Sequence, residues 1–151
     1  MAHLSDSNVQ IVAEKLILEG LETELNIPSG SLQAKKIMFD NKVGIEIDGF
    51  SDEHKIMVEV FARIGKLSAA HFEKLANDIL KLKLAEDILK VPYKKYIAVC
   101  GEEAERYLLG SSWKSFAAQY YEFEIVRIEL SSDYREIILN AQKLQKEGMK
   151  L

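Results

Sequence analysis

The sequence predicts a single α/β (α+β) domain with a mixed central sheet flanked by helices. Apolar and polar residues alternate over residues 43–48 and 55–62, as they do in half-buried strands. Apolar residues recur at helical spacing over residues 68–90, and residues 96–100 form a nearly continuous apolar run. The length of 151 residues is the usual size of one domain, so we expect one domain over residues 1–151.

The N-terminal half of the chain predicts one helix and three strands. Apolar residues at helical spacing indicate a helix over residues 7–19, which Gly20 is expected to close. Three short segments then have strand character and are separated by turn residues, at residues 36–39, 43–48 and 55–62. Consecutive strands with short connections usually pair as neighbours, so we expect an antiparallel meander.

The C-terminal half begins with the strongest helical signal of the chain. Ser68 can cap the helix over residues 68–90, and Pro92 marks its end. The apolar run at residues 96–100 predicts a fully buried strand. Further patterns predict helices over residues 101–109 and 113–121, a strand over residues 123–130 and a helix over residues 133–146. The element order is therefore αβββαβ plus a C-terminal α-β-α unit.

Composition narrows the classes of protein and of site. No apolar run approaches the roughly 20 residues that span a bilayer, and residues 1–10 lack the pattern of a signal peptide. The lone Cys100 is expected to be a buried thiol, which is compatible with a reducing, cytoplasmic location. Phosphate-loop, dinucleotide-binding, zinc-ligand and serine-hydrolase patterns are absent from the sequence. A net charge of −4 means that DNA binding would need a local basic surface.

Two carboxylates fall on neighbouring predicted strands. Asp48 ends the second strand and Glu59 lies within the third. Carboxylates on adjacent paired strands can meet at one point of the sheet. There they could hold Mg²⁺, which one or two carboxylates and several waters can bind and which supports phosphodiester hydrolysis. Alternatively, Asp48 is a turn residue before Gly49, and Glu59 faces solvent on an edge strand.

With this element order and this pair of acids, the sequence resembles the PD-(D/E)XK, or restriction-endonuclease-like, nuclease superfamily over about residues 7–100. Members carry an Asp on the second strand and a Glu-x-Lys on the third, and Asp48 and Glu59 match these two acids. The resemblance implies the nuclease core fold, a Mg²⁺ or Mn²⁺ cofactor and cleavage of DNA. The superfamily Lys, however, is replaced by Phe61.

Phe61 can neither donate a proton nor stabilise charge, so either catalysis is lost or a cation comes from elsewhere. Superfamily members in which the basic residue has moved to the following helix make Lys74 the expected catalytic substitute. His71 lies three residues earlier on the same helical face and is expected to bind substrate. Asp78 and Lys81 extend this polar face.

Two further candidates lie outside that face. Lys66, in the segment before the long helix, is a second basic candidate and an expected substrate-binding residue. Glu14 on the first helix matches the first-helix acids that bind metal in some superfamily members. Each of these residues, like Lys74 and His71, could instead be an ordinary solvated side chain.

The C-terminal aromatic residues leave other functions open. They are expected to pack in the core, but they could also stack on bases or form a homodimer surface; they are Trp113, Phe116, Tyr120, Tyr121 and Phe123. A catalytically inactive module on the same fold would bind a protein partner or itself. A nuclease subunit that cleaves only with a partner is a third hypothesis.

Overall fold

The computed structural model describes residues 6–148, with side chains for residues 8–146. Its elements are α1 (Asp6–Glu24), β1 (Gln33–Met38), β2 (Gly44–Ser51), β3 (Ile56–Phe61), α2 (Ala69–Leu89), β4 (Lys94–Val99), α3 (Glu102–Leu108), α4 (Trp113–Tyr120), β5 (Phe123–Arg127) and α5 (Ser132–Gly148). Within this part of the chain, every helix is too short or too polar to cross a membrane.

The five strands form one mixed sheet in the order β1-β2-β3-β4-β5. β2 is antiparallel to both of its neighbours, whereas β3, β4 and β5 run parallel to one another. The antiparallel pairs follow from short turns, and each parallel pair follows from a helical crossover. The predicted α+β class, with a mixed sheet flanked by helices, is therefore confirmed.

Helices cover both faces of the sheet and create two apolar cores. One core lies beneath α1 and α5, and the other lies beneath α2, α3 and α4. β3 is buried along its whole length, because it lies in the middle of the sheet between these layers. Alternate β3 residues therefore point into opposite cores, with Val58 and Val60 facing α1 and Met57 and Phe61 facing α2.

The first helix is longer than predicted, because Gly20 does not close it. α1 continues to Glu24, burying Leu21, and the Glu22 carboxylate accepts a hydrogen bond of 2.8 Å from the Leu32 amide. A Cβ atom at position 20 would collide with Cγ2 of Ile128. This glycine therefore permits close packing of the helix rather than ending it.

The aromatic residues of α4 correct a second expectation. Trp113, Phe116 and Tyr120 are 73%, 65% and 70% exposed, so the prediction that they pack in the core was wrong. Ser115 and Ala118 face the protein instead. Small side chains thus let α4 approach the sheet closely, while its aromatic face is directed to solvent. Phe123, at the start of β5, is buried as expected.

Candidate functional site

The pairing of β2 with β3 stops at Gly49 opposite Val58. Continuing the same register would pair Asp48 with Glu59, but the two strands part at this point. On the other side of β2, the register with β1 shifts between Gln33 and Lys35, so β2 has one extra residue there. The interruption exposes backbone groups that would otherwise be bonded in the sheet, and such groups need other partners.

Asp48 and Glu59 supply those partners to each other's strands. The Asp48 amide donates to Oε2 of Glu59 over 2.8 Å, and the Val60 amide donates to Oδ2 of Asp48 over 2.9 Å. The two carboxyl groups therefore lie side by side in the opening between β2 and β3. Asp48 is part of a strand, and Glu59 is 1% exposed, so neither the turn nor the edge-strand alternative is correct.

A lysine from α2 completes this opening. Lys81 Nζ forms an ion pair with Oε1 of Glu59 and donates a hydrogen bond of 3.0 Å to the carbonyl oxygen of Glu46. Glu46 lies in the part of β2 that pairs with β1 but not with β3. Lys81 therefore neutralises a buried acid and satisfies a backbone carbonyl in the same place. These two partners together fix the position of its ammonium group.

Lys74, the cation expected to replace the motif lysine, has a different partner. Its Nζ lies 3.1 Å from Oδ2 of Asp78, whose side chain is buried on α2. Asp78 in turn interacts electrostatically with Glu59 and Lys81. Lys74 thus belongs to the surrounding charge cluster, whereas Lys81 directly contacts Glu59.

Glu14 joins the cluster from α1, the opposite helical layer. It accepts a hydrogen bond of 3.0 Å from Gln10. Burial raises the pKa of Glu14, and the negative charges of Asp48 and Asp78 act in the same direction, although Gln10 and Lys74 oppose them. The expected first-helix acid is therefore within electrostatic range of Asp48.

Burial and crowding of acids also alter the pKa of Glu59. Burial, assisted by the charge of Asp48, raises the pKa of Glu59 to about 7, against the opposing effects of Lys81 and the Asp48 amide. Burial raises the pKa of Asp78 too, while Lys74 and Lys81 oppose the rise. Carboxylates with raised pKa values favour a nearby cation, since it lowers the cost of ionising them. The cluster is therefore suited to cation binding.

Phe61, at the position where the resemblance implies a lysine, is buried beneath α2. Its ring meets the ring of His71 edge-on, at a centroid distance of 6.1 Å. His71 Nδ1 accepts a hydrogen bond of 2.9 Å from the Ser68 amide, which gives the histidine a helix-capping role. Lys66 lies at a shallow depression beside Phe72, apart from His71 and Lys74. The structure therefore does not bring Lys66 to the carboxylate pair.

The number of side chains that could act as ligands limits how a metal ion could bind at this site. Among residues 8–146, no group of three or more histidine, cysteine, aspartate or glutamate side chains is arranged to hold a metal ion. Both Glu59 oxygens are already engaged, whereas Oδ1 of Asp48 has no bond to the described residues. These carboxylates fit Mg²⁺ held by one or two protein oxygens and several waters, provided that Lys81 yields one Glu59 oxygen.

Lys81 and the buried Asp78 are the site residues whose importance the sequence did not predict. The sequence did contain a signal for these two residues, because positions 74, 78 and 81 recur at helical spacing on one face. Periodicity could not indicate which turn of that face lies over Glu59.

Comparisons with protein-family models, with curated proteins and with solved structures found no match for this chain.

Proposed function

We propose that this protein is a Mg²⁺- or Mn²⁺-dependent phosphodiesterase of the PD-(D/E)XK type, acting as an endonuclease on DNA. The observation that carries the proposal is the meeting of Asp48 and Glu59 where β2 and β3 part, with Lys81 against Glu59. The order of α1 to β4 agrees with the αβββαβ core that the resemblance implies. Hydrolysis is the function that best uses this combination of acids and cation.

In the proposed reaction, Asp48 and Glu59 would hold the metal ion, and Glu14 would support them from α1. Mg²⁺, when bound, neutralises phosphate charge and lowers the pKa of a water molecule. Lys81 substitutes for the lysine that Phe61 replaces, because its Nζ reaches the motif glutamate from α2. The ammonium group can then stabilise negative charge that develops on the phosphate.

Cleavage of plasmid DNA in the presence of Mg²⁺ or Mn²⁺ tests the proposal. Asp48→Asn and Glu59→Gln should each reduce cleavage at least about a hundredfold, since each removes a charged oxygen ligand. Glu53→Gln is the matched control, because Glu53 is an exposed acid in the turn between β2 and β3. Cleavage that persists at the wild-type rate in Glu59→Gln would contradict the proposed site.

A second candidate is a catalytically inactive module that pairs with a second copy of itself. Two observations favour it, the buried Phe61 in place of a lysine and the outward aromatic face of α4. An aromatic side chain can bury about 150–250 Å². Trp113, Phe116 and Tyr120 together therefore offer several hundred Å² of apolar surface.

Neighbouring residues of α2 extend this surface. α2 and α4 contact each other on the same face of the sheet, and the outer side of α2 exposes three aliphatic residues, namely Leu80, Leu84 and Ile88. A standard interface buries roughly 800 Å² on each partner. A homodimer of this size would therefore have to use the aromatic face of α4 and the aliphatic residues of α2 together.

Sedimentation velocity measured over a range of concentrations tests whether the protein forms this homodimer. Replacing Trp113, Phe116 and Tyr120 together by serine should weaken self-association at least tenfold. Ile11→Ser is the control, because Ile11 is 64% exposed on α1, in the opposite helical layer. A wild-type protein that remains monomeric at high micromolar concentration would rule out the homodimer.

A further inference from the structure

A cleft of about 480 Å³ lies between α1, the end of β3, the start of α2 and α5. Its walls include the apolar side chains of Val9, Val60 and Ile138. Its polar side chains include Arg63 and Lys74, together with His71 and three glutamines. None of the described residues that line it is acidic. In a chain of net charge −4, this cleft therefore concentrates positive charge beside apolar surface.

Arg63 is the central cation of the cleft. The chain has four arginines, and three of them bond to other residues: Arg106 to Glu102, Arg127 to Glu105, and Arg135 to the Cys100 carbonyl. Arg63 differs, because its Nε is buried and has no hydrogen-bond partner among the described residues. Arg63 lines the cleft and forms no ion pair with the described residues, so a bound anion would supply the counter-charge that its guanidinium lacks.

Two neighbours of Arg63 are placed to assist. Burial, together with the positive charge of Arg63, lowers the pKa of His71, so the imidazole is neutral at pH 7. Because His71 Nδ1 accepts from the Ser68 amide, the ring proton is on Nε2, where it can be donated. Lys74 is a second cation of the cleft; it is half exposed and is also ion-paired with Asp78.

We infer that this cleft binds a phosphate ester whose uncharged body is partly apolar. Arg63 and Lys74 would hold the phosphate, and the apolar walls would contact the body. The volume lies within the range of roughly 300–1,000 Å³ that is typical of small-molecule sites. The inference does not depend on the proposed hydrolysis, because it requires nothing of Asp48 or Glu59.

Calorimetric titration with AMP, phenyl phosphate, adenosine and inorganic phosphate tests this inference. AMP and phenyl phosphate should bind at least about tenfold more tightly than adenosine or inorganic phosphate, because only they combine the charge with an apolar body. Equal affinity for all four compounds, or no binding at millimolar concentration, would overturn the inference.

Variants of the cleft sharpen the test. Arg63→Gln should weaken AMP and phenyl phosphate binding by about tenfold to a hundredfold, and Lys74→Gln, which replaces an exposed side chain, should act in the same direction. Arg106→Gln is the matched control, since Arg106 is exposed and ion-paired with Glu102. Unchanged affinity in both cleft variants would overturn the inference. Mn²⁺ titration of Arg63→Gln, measured in parallel, reports separately on the carboxylate site.

The same ester could be free or could belong to a nucleic-acid strand. Two oligonucleotides, used as competitors of AMP on the wild-type protein, distinguish these sources. If a 5′-phosphorylated single strand displaces AMP and a matching unphosphorylated strand does not, the source is a strand end. AMP binding without displacement by either strand would identify a free ester. Both results support a phosphate-ester site, and only the first joins it to the proposed nuclease function.

Discussion

Lys81 shows how one side chain can satisfy two requirements at the point where β2 and β3 part. It neutralises Glu59, which is buried and has a raised pKa, and it donates to the carbonyl of Glu46, where β2 has no partner in β3. Burial alone would lower the pKa of Lys81, but Glu59 and the neighbouring carboxylates outweigh this effect and raise it. Lys81 is therefore charged at neutral pH and is available as the cation of the proposed reaction.

Replacing Lys81 by methionine should separate catalysis from metal binding. We expect the rate of DNA cleavage to fall at least about a hundredfold, as it does when a charge-stabilising donor is removed from an active site. Mn²⁺ affinity, measured by calorimetry, should be retained or increased, because Lys81 no longer competes for Glu59.

Lys74→Met provides the comparison, and its effect on cleavage should be smaller. Lys74 pairs with Asp78 and not with Asp48 or Glu59. If Lys74→Met abolished cleavage while Lys81→Met left it intact, the assignment of the catalytic cation to Lys81 would be wrong.

At the scale of elements, α2 is tied to the sheet by a second buried ion pair, five residues along the helix from Lys81. The Lys95 side chain on β4 is 6% exposed, and its Nζ lies 3.0 Å from Glu86 on α2. Glu86 also accepts a hydrogen bond of 2.9 Å from the Tyr93 amide. One carboxylate thus joins α2, the loop after it and β4.

Glu86→Gln should reduce the free energy of unfolding by about 3 kcal/mol near neutral pH, because it leaves Lys95 buried without a counter-charge. Burial favours the protonated form of Glu86, but the Tyr93 amide, Lys95 and Lys83 outweigh this and lower its pKa. The stabilisation by Glu86 is therefore present above its ordinary pKa value of 4.5 and is lost as the pH falls through the lowered value. Urea unfolding at several pH values should show the two proteins converging in acid. A difference that stays constant with pH would contradict this account.

The packing of α1 against the residue after β5 gives a prediction at the same scale. Alanine in place of Gly20 would gain about 1 kcal/mol of helix propensity, but its Cβ would collide with Ile128. Overpacking costs about 1–3 kcal/mol, so Gly20→Ala should destabilise the protein by about 1 kcal/mol net.

A double-mutant cycle with Ile128→Ala checks the cause of this loss. Once Ile128 is shortened, Gly20→Ala should become neutral or stabilising in thermal or urea unfolding. An identical effect of Gly20→Ala in both backgrounds would show that the contact with Ile128 does not explain it.

At the scale of the whole molecule, the proposed metal site joins the two helical layers across the sheet. Glu14 comes from α1 on one face, Glu59 points toward α2 on the other, and Asp48 lies in the opening between the strands. The cleft that contains Arg63 is likewise built from both layers, with α1 and α5 on one side and α2 on the other. Gln142 of α5 lines this cleft and fixes its edge to the segment after β3. Its side chain accepts a hydrogen bond from the Ile64 amide and donates one to the Ile64 carbonyl oxygen.

Binding of Mn²⁺ should therefore stabilise the entire fold. A ligand that binds only the folded state adds about 2.7 kcal/mol at a free concentration of 100 times its Kd. The melting temperature should rise with Mn²⁺ and return to its starting value with a chelator. Asp48→Asn should abolish the rise, whereas Glu53→Gln should preserve it; a rise of equal size in Asp48→Asn would place the ion elsewhere.

The sequence by itself determined the order of helices and strands, because hydrophobic periodicity reports the local conformation and the buried face of each segment. It also determined that two acids lie on consecutive strands and that Phe61 stands where a lysine was expected. Only the tertiary structure decided that β2 and β3 part at Asp48, that Lys81 rather than Lys74 reaches Glu59, and that α4 turns its aromatic face outward. These outcomes depend on the distances between elements that are remote in sequence, and those distances are set by how closely the helices pack on the sheet.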